Sequence, residues 1–386
     1  MPLFLSIVLD GVGIGAQDDA DLYGDVGSNT LVHVCEYAAP GLPNLAALGL
    51  GCIAPLPNVA CTATPAADFG IMREQSPGKD STTGHWELAG VHLERPFPTY
   101  PDGFPVALVQ RFAREARVTG VLGNKAASGT QIIQDLGGLH VATGQPIVYT
   151  SADSVFQVAA HVDTIPLERL YDICRIARDR VCVGEHAVGR VIARPFNGAS
   201  GAFTRITAAR KDFAILPEDT PLQVRLQEAG VRTVSIGKVS DLFGGVGFDE
   251  TRKTKSNEDG VAQIRTLLAD YDGETPTFVW VNLIDFDQEF GHRNDVDGFA
   301  QALEQFDEAL PEMLDLMPHK GMLLITADHG NDPTFPGTDH TREHVPLLVF
   351  GAGGGRDLGQ RSTFADHAAT VGAYFSVHTP TGTSFL

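Results

Sequence analysis

The chain has 386 residues, with 28 Lys and Arg against 48 Asp and Glu, a formal net charge of −20, and 43% hydrophobic residues. That is enough apolar material for two or three packed domains, and it excludes wholesale disorder. The acidity argues against a nucleic-acid binder or an anionic-membrane partner, and no apolar run nears the ~20 residues that span a bilayer.

In chain order, the first signal is Phe4-Leu5-Ser6-Ile7-Val8-Leu9, an apolar run closed by Asp10-Gly11. Continuous runs of this length bounded by turn residues predict a buried parallel strand. It starts at once, with no basic stretch ahead of it, so no secretion signal is expected and a cytoplasmic protein is. Gly11-Val12-Gly13-Ile14-Gly15-Ala16 then fits the GxGxxA dinucleotide fingerprint. The acidic Gln17-Asp18-Asp19-Ala20-Asp21 that follows has no apolar helical face, so a nucleotide fold is rejected. Cys35, Cys52, Cys61, Cys174 and Cys182 are odd in number and form no CxxC pair. They are expected to be buried thiols in a reducing compartment.

Gly78-Lys79-Asp80-Ser81-Thr82-Thr83-Gly84-His85-Trp86-Glu87 crowds hydroxyls at what reads as a loop-to-helix junction. Free N–H groups there would favour an anion, and a metal-bound hydroxyl would be an activated nucleophile. Ser and Thr also favour N-caps for their own reasons, and composition does not say which hydroxyl acts. Pro96, Pro98, Pro101 and Pro105 mark the entrance to a different region. Residues 97–216 hold 13 Lys and Arg against 10 Asp and Glu, a net of +3, leaving −23 for the rest. The domains expected are therefore a discontinuous core, residues 1–96 and 217–386, and an inserted cap or lid over 97–216. Within the insert, Thr150-Ser151-Ala152-Asp153-Ser154 supplies hydroxyl and carboxylate groups of the kind that bind sugar hydroxyls. Arg190, Ile192 and Arg194 alternate on a strand-like run, and Arg205 and Arg210 follow, suited to phosphate.

Past the insert, Val231–Ile236 is a weaker strand, placed nearer the sheet edge, with Lys238 just beyond it. Gly260–Ala269 and Val296–Met317 read as helices. Phe278–Ile284 runs into Asp285-Phe286-Asp287, with His292 five residues on. Met322–Ala327 ends in Asp328-His329-Gly330, with His340 eleven residues after His329. The fold class implied is α/β: a central, mostly parallel sheet flanked by helices, plus a smaller inserted α/β domain. In open α/β sheets, ligands gather beyond the carboxyl ends of the strands. Three strands ending in carboxylates thus bring Asp10, Asp287 and Asp328 to one rim with His292, His329 and His340. A lone His is more often a satisfied core group, but this set is what two Mn, Zn or Fe ions accept.

At these residues the sequence resembles the phosphopentomutase family of the alkaline phosphatase superfamily. The resemblance spans essentially the whole chain and is carried by residues 9–15, 78–87, 149–157, 190–196, 285–293 and 326–343. The resemblance implies an alkaline-phosphatase-like core and an isomerase acting on pentose phosphates in nucleoside catabolism. One Mn²⁺ would be held by Asp10, Asp328 and His329, the other by Asp287, His292 and His340, with Zn²⁺ or another divalent metal possible. It places the phosphate-carrying hydroxyl on Ser81, where the family usually has Thr, and a Tyr is expected where His344 stands. Ser151, Asp153, Arg190, Arg205 and Lys238 would bind substrate, and a sugar bisphosphate would activate. The implied reaction converts ribose or deoxyribose 1-phosphate to the 5-phosphate through a phosphoenzyme and a 1,5-bisphosphate. The rivals are a two-metal phosphatase or phosphodiesterase, a cofactor-independent phosphoglycerate mutase and, from another class, a metal-stabilised carbohydrate-binding module.

Overall fold

The computed structural model describes residues 2–151 and 154–386. In chain order its strands are β1 Leu3–Leu9, β2 Ala67–Met72, β3 Leu122–Ala126, β4 Ile147–Thr150, β5 Val155–His161, β6 Arg190–Asn197 and β7 Thr204–Arg205. There follow β8 Lys211–Ala214, β9 Arg232–Ile236, β10 Glu250–Arg252, β11 Thr277–Leu283, β12 Met322–Thr326, β13 Val345–Phe350 and β14 Asp357–Arg361. The chain separates into two compact units, Met1–Pro96 with Pro217–Leu386, and Phe97–Leu216.

The larger unit is built on one sheet in the order β10-β9-β11-β1-β12-β13-β2-β14. Its half from β10 to β12 is parallel; β13 runs antiparallel to both β12 and β2, and β14 returns parallel to β2. All seven residues of β1 and of β11 are buried. A strand covered on both faces has no solvated side, hence apolar runs rather than alternation. Helices Asn257–Ala269 and Val296–Leu316 follow β10 and β11. Among the described residues no helix is long and apolar enough to cross a membrane.

The smaller unit has its own sheet, β3-β4-β5-β6-β7, with β8 on the free stretch of β6. One core packs Phe104, Phe112 and Leu170 against Phe156, Val158 and Val191. A second, under helix Gly129–Thr143, packs Ile132 and Ile133 against Tyr149, Ala159 and Phe196.

The cysteines correct the expectation from the sequence. Cys35, Cys174 and Cys182 are buried thiols, but Cys52 and Cys61 form a disulfide closing a loop of nine residues' separation. The argument for a reducing compartment loses that part of its basis.

Candidate active site

Strands β11, β1 and β12 are adjacent and parallel, so their ends deliver residues to one rim. Asp10 follows β1, and its N–H extends the ladder to Leu283 O at 3.1 Å. Asp328 and His329 follow β12. Beyond β11 the chain makes a wide π turn, Phe286–Phe290, that carries Asp287; such turns recur at functional sites. Asp285, which ends the same run, instead accepts from Asn257 N at 2.7 Å and lies outside the cluster.

Two donor groups result. Asp10, Asp328 and His329 offer ligand atoms within 4.8 Å of one another, and so do Asp287, His329 and His340. His292 sits beside the second group, its Nε2 3.3 Å from Asp287 Oδ2, without being one of that close triad. Asp10, Asp328, His329 and Asp287 are at most 3% exposed. His292 Nδ1 donates to Thr338 O at 2.7 Å and His329 Nδ1 to Gly330 O at 3.1 Å. Because a carbonyl only accepts, these bonds put the proton on Nδ1 and leave each Nε2 lone pair facing the carboxylates, the arrangement of a metal-ligating imidazole.

The electrostatics fit a cation at the same place. Burial and the charge of Asp328 raise the Asp10 carboxyl above its usual range, with Lys238 opposing. Asp10 Oδ1 is buried and accepts no hydrogen bond among the described residues. Buried oxygens of this kind normally have a partner, and mixed carboxylate–imidazole donors suit a divalent first-row metal. Two asparagines hold other oxygens of the set: Asn282 Nδ2 donates to Asp10 Oδ2 at 3.0 Å and Asn331 Nδ2 to Asp287 Oδ1 at 2.7 Å.

The Gly78–Glu87 motif becomes intelligible residue by residue. Ser81 opens helix Ser81–Leu88, with Asp80 as its N-cap. Asp80 Oδ1 accepts from Thr82 N and Thr83 N, and Oδ2 from Thr83 Oγ1. The N–H groups of Thr82 and Thr83 are therefore not open to an anion, which corrects that part of the sequence reading. Ser81 Oγ lies 3.2 Å from His329 Nε2 and accepts from Lys238 Nζ at 2.9 Å. Lys238 Nζ is also 3.7 Å from Asp10 Oδ2. Glycine at 84 costs a helix up to about 1 kcal/mol relative to Ala. A Cβ there would lie 2.9 Å from the Asp328 carbonyl carbon, so only Gly lets the helix rest on the Asp328 backbone. His85 Nδ1 sits 3.1 Å from Asp328 Oδ2 and 2.9 Å from Ser81 O. Glu87 is buried and accepts from Gln75 N, Ser76 N, Phe364 N and Thr363 Oγ1. Burial alone would raise its carboxyl, but hydrogen bonding involving His92, Ser76 and Gln75 lowers it to about 2.

The glycines after β1 serve the same rim: a Cβ on Gly13 would lie 2.8 Å from Glu343 Cβ. His344, where a Tyr was expected, packs its Nδ1 3.2 Å from Gly15 O and its Nε2 3.1 Å from Gln360 Nε2.

Thus the rim gathers Ser81, Asp10, Asp287, His292, Asp328, His329, His340 and Lys238. Arg190 and Arg205 lie in the smaller unit, on β6 and β7, with Arg190 3.6 Å from Asp212. Ser151 is in that unit too, just past β4, and Asp153 falls outside the described residues. Sequence reasoning missed His85, Asn282 and Asn331, which orient the candidate ligands. A polar Asn inside the otherwise apolar run of β11 was the available signal.

A family model described as the Metalloenzyme superfamily matches residues 1–379. The phosphopentomutase of Caldanaerobacter subterraneus is 51% identical over 384 residues, covering 98% of this chain and 96% of that protein. The phosphopentomutase of Anaeromyxobacter sp. (strain K) is 52% identical over 382 residues, covering 98% and 97%. Among solved structures, the PH0037 protein of Pyrococcus horikoshii aligns with a TM-score of 0.51 at 17% identity, over 98% of this chain and 99% of its own, a likeness of fold. The chain belongs to the phosphopentomutase family, within the metalloenzyme superfamily.

Proposed function

We propose that the chain is an isomerase that interconverts α-D-ribose 1-phosphate, or its 2-deoxy analogue, with the 5-phosphate, using Ser81 as phosphate carrier. The observation that carries this is the place of Ser81 Oγ, within 3.2 Å of His329 and 2.9 Å of Lys238, beside two buried carboxylate–imidazole groups. In this reading Asp10, Asp328 and His329 hold one divalent ion and Asp287, His292 and His340 the other, with Mn²⁺ the favoured metal. When bound, such ions neutralise phosphoryl oxygens and lower the pKa of a coordinated hydroxyl.

The chain's own residues supply the rest. The Asp80 cap and the Gly84 contact fix Ser81 Oγ on the rim. Lys238 donates to that oxygen and so stabilises it whenever it carries negative charge. Phosphorylated Ser81 gives its phosphoryl group to the free C1 or C5 hydroxyl of the sugar phosphate. The hydroxyl loses its proton, Ser81 regains one, and a 1,5-bisphosphate forms. Return of the other phosphoryl group to Ser81 completes the isomerisation with no net phosphate consumed. A sugar bisphosphate would prime an unphosphorylated chain by the same transfer. Ser151, Asp153, Arg190 and Arg205 are assigned to the substrate, and residues 97–216 to a lid that keeps water from the phosphoenzyme. The net charge of +3 in that segment, against −23 elsewhere, suits an anionic sugar phosphate.

The test is to incubate Mn²⁺-loaded protein with a sugar 1,6-bisphosphate and map the phosphate by mass spectrometry. Phosphate on Ser81, absent in Ser81→Ala together with mutase activity, is expected. Stable phosphate on another residue, or an active Ser81→Ala enzyme, overturns the assignment.

A further inference from the structure

The guanidinium of Arg342 is 1% exposed, yet it touches no candidate metal ligand. All of its N–H groups are engaged. Nη1 lies 2.6 Å from Glu74 Oε2, 2.8 Å from Ser76 O and 2.7 Å from Gly78 O. Nη2 donates to Glu74 O at 2.9 Å and Asp19 Oδ2 at 3.0 Å, and Nε to Asp19 Oδ1 at 3.2 Å. Cζ lies 5.1 Å from the Tyr23 ring centroid. The Arg342 main chain is fixed as well, its N–H donating to Asp25 Oδ2 at 2.8 Å and its carbonyl accepting from Gln17 N at 3.0 Å.

One side chain therefore collects three alternate carbonyls, those of residues 74, 76 and 78, from the segment that leads into Ser81. In the same segment Glu87 takes the N–H groups of Gln75 and Ser76. Arg342 itself stands two residues after His340. The guanidinium is thus a tie between the loop that supplies His340 and the loop that supplies Ser81. Stability alone is a poor reason for it, since a buried ion pair is often matched by apolar residues of similar volume. The planar fork is needed because its donors reach several acceptors in one plane, which a lysine cannot do.

We propose that Arg342 is a positioning residue for phosphoryl transfer, holding Ser81 Oγ in register with the metal-ligand rim. This rests on the reading of Ser81 as phosphate carrier.

The experiment uses full-length, Mn²⁺-loaded protein carrying Arg342→Lys or Arg342→Met. Leu268→Ala, a core truncation in helix Asn257–Ala269, is the control for destabilisation alone. The readouts are thermal midpoint, kcat, KM for ribose 1-phosphate, and the rate at which Ser81 acquires phosphate from a sugar 1,6-bisphosphate. A displacement near 1 Å costs about 10²-fold. Arg342→Lys should accordingly lose about 30- to 100-fold in kcat and in the phosphorylation rate, with KM changed less than about threefold. Leu268→Ala should keep its rates well below its own midpoint. Phosphorylation of the Arg342→Lys Ser81 at the wild-type rate, or losses that follow the midpoint as they do in Leu268→Ala, would overturn the proposal. Wild-type protein that carries phosphate on another residue would overturn the Ser81 reading instead, and that result is visible before any variant is compared.

Discussion

Replacing Gly84 with alanine tests whether the helix carrying Ser81 must rest directly on the Asp328 backbone. The added Cβ would lie 2.9 Å from the Asp328 carbonyl carbon and 3.0 Å from Asp328 Cβ. Its closest contact would be the Asp328 carbonyl oxygen; because non-bonded heavy atoms settle at about 3.5–4.0 Å, helix and strand end must part by at least about 1 Å. Overpacking of this size costs about 1–3 kcal/mol, of which the better helix propensity of Ala returns up to about 1 kcal/mol. The net loss of stability therefore lies between about zero and 3 kcal/mol. In addition, separating Ser81 from Asp328 and His329 by that distance should lower kcat by about 10²-fold. Gly138→Ala is the control: this glycine is exposed in helix Gly129–Thr143, with only Ser200 Oγ at 3.4 Å from a built Cβ. It should gain up to about 1 kcal/mol and keep full activity. Steady-state kinetics with ribose 1-phosphate and denaturant unfolding read both quantities. A Gly84→Ala enzyme with kcat within twofold of wild type would refute the reasoning.

Glu87→Gln removes a carboxylate held at about 2 against an ordinary 4.5. A depressed carboxyl stabilises above its unfolded pKa and loses that contribution as pH falls, so the variant should be less stable by about 2–4 kcal/mol at pH 7. The gap should narrow between pH 4.5 and 2 in paired unfolding curves; a gap independent of pH would contradict the assignment. Adding Mn²⁺ to chelator-treated protein should raise the thermal midpoint, by the equivalent of about 2.7 kcal/mol per bound ion at a hundredfold excess over Kd. In Asp10→Asn/Asp328→Asn the share of the rise due to the first ion should be lost, and an undiminished rise would place that metal elsewhere. Thiol titration in denaturant should count three reactive cysteines, Cys35, Cys174 and Cys182, and five after reduction. Five without reduction would exclude the Cys52–Cys61 bond.

Much of the rim was legible because each informative strand ends where its apolar run ends. The runs 4–9, 278–284 and 322–327 give β1, β11 and β12 to within a residue or two, and the carboxylates at or just beyond their ends follow from parallel pairing. Strand β2 was harder: Ala67-Asp68-Phe69-Gly70-Ile71-Met72 mixes a carboxylate and a glycine into the run. Asp68 is buried there because Arg356 reaches its Oδ2, a partner 288 residues away that no local pattern announces. The same holds for Arg342, whose carbonyl acceptors lie more than 260 positions earlier. Cys52 and Cys61 show the converse. Their spacing matches no motif, and only the fold of the loop between them brings their Cα atoms to 4.3 Å. Among the hydroxyls, composition left Ser81, Thr82 and Thr83 equivalent. The structure separates two of them: Thr83 Oγ1 donates to Asp80, whereas Ser81 Oγ faces Lys238 and His329.

The central claim is that phosphate passes between the two ends of one sugar and not to water. A ³¹P NMR time course with Mn²⁺-loaded protein, α-ribose 1-phosphate and a trace of sugar 1,6-bisphosphate measures it directly. The account predicts ribose 5-phosphate growing at the expense of ribose 1-phosphate with little free phosphate. Inorganic phosphate as the main product would make the chain a hydrolase and contradict it.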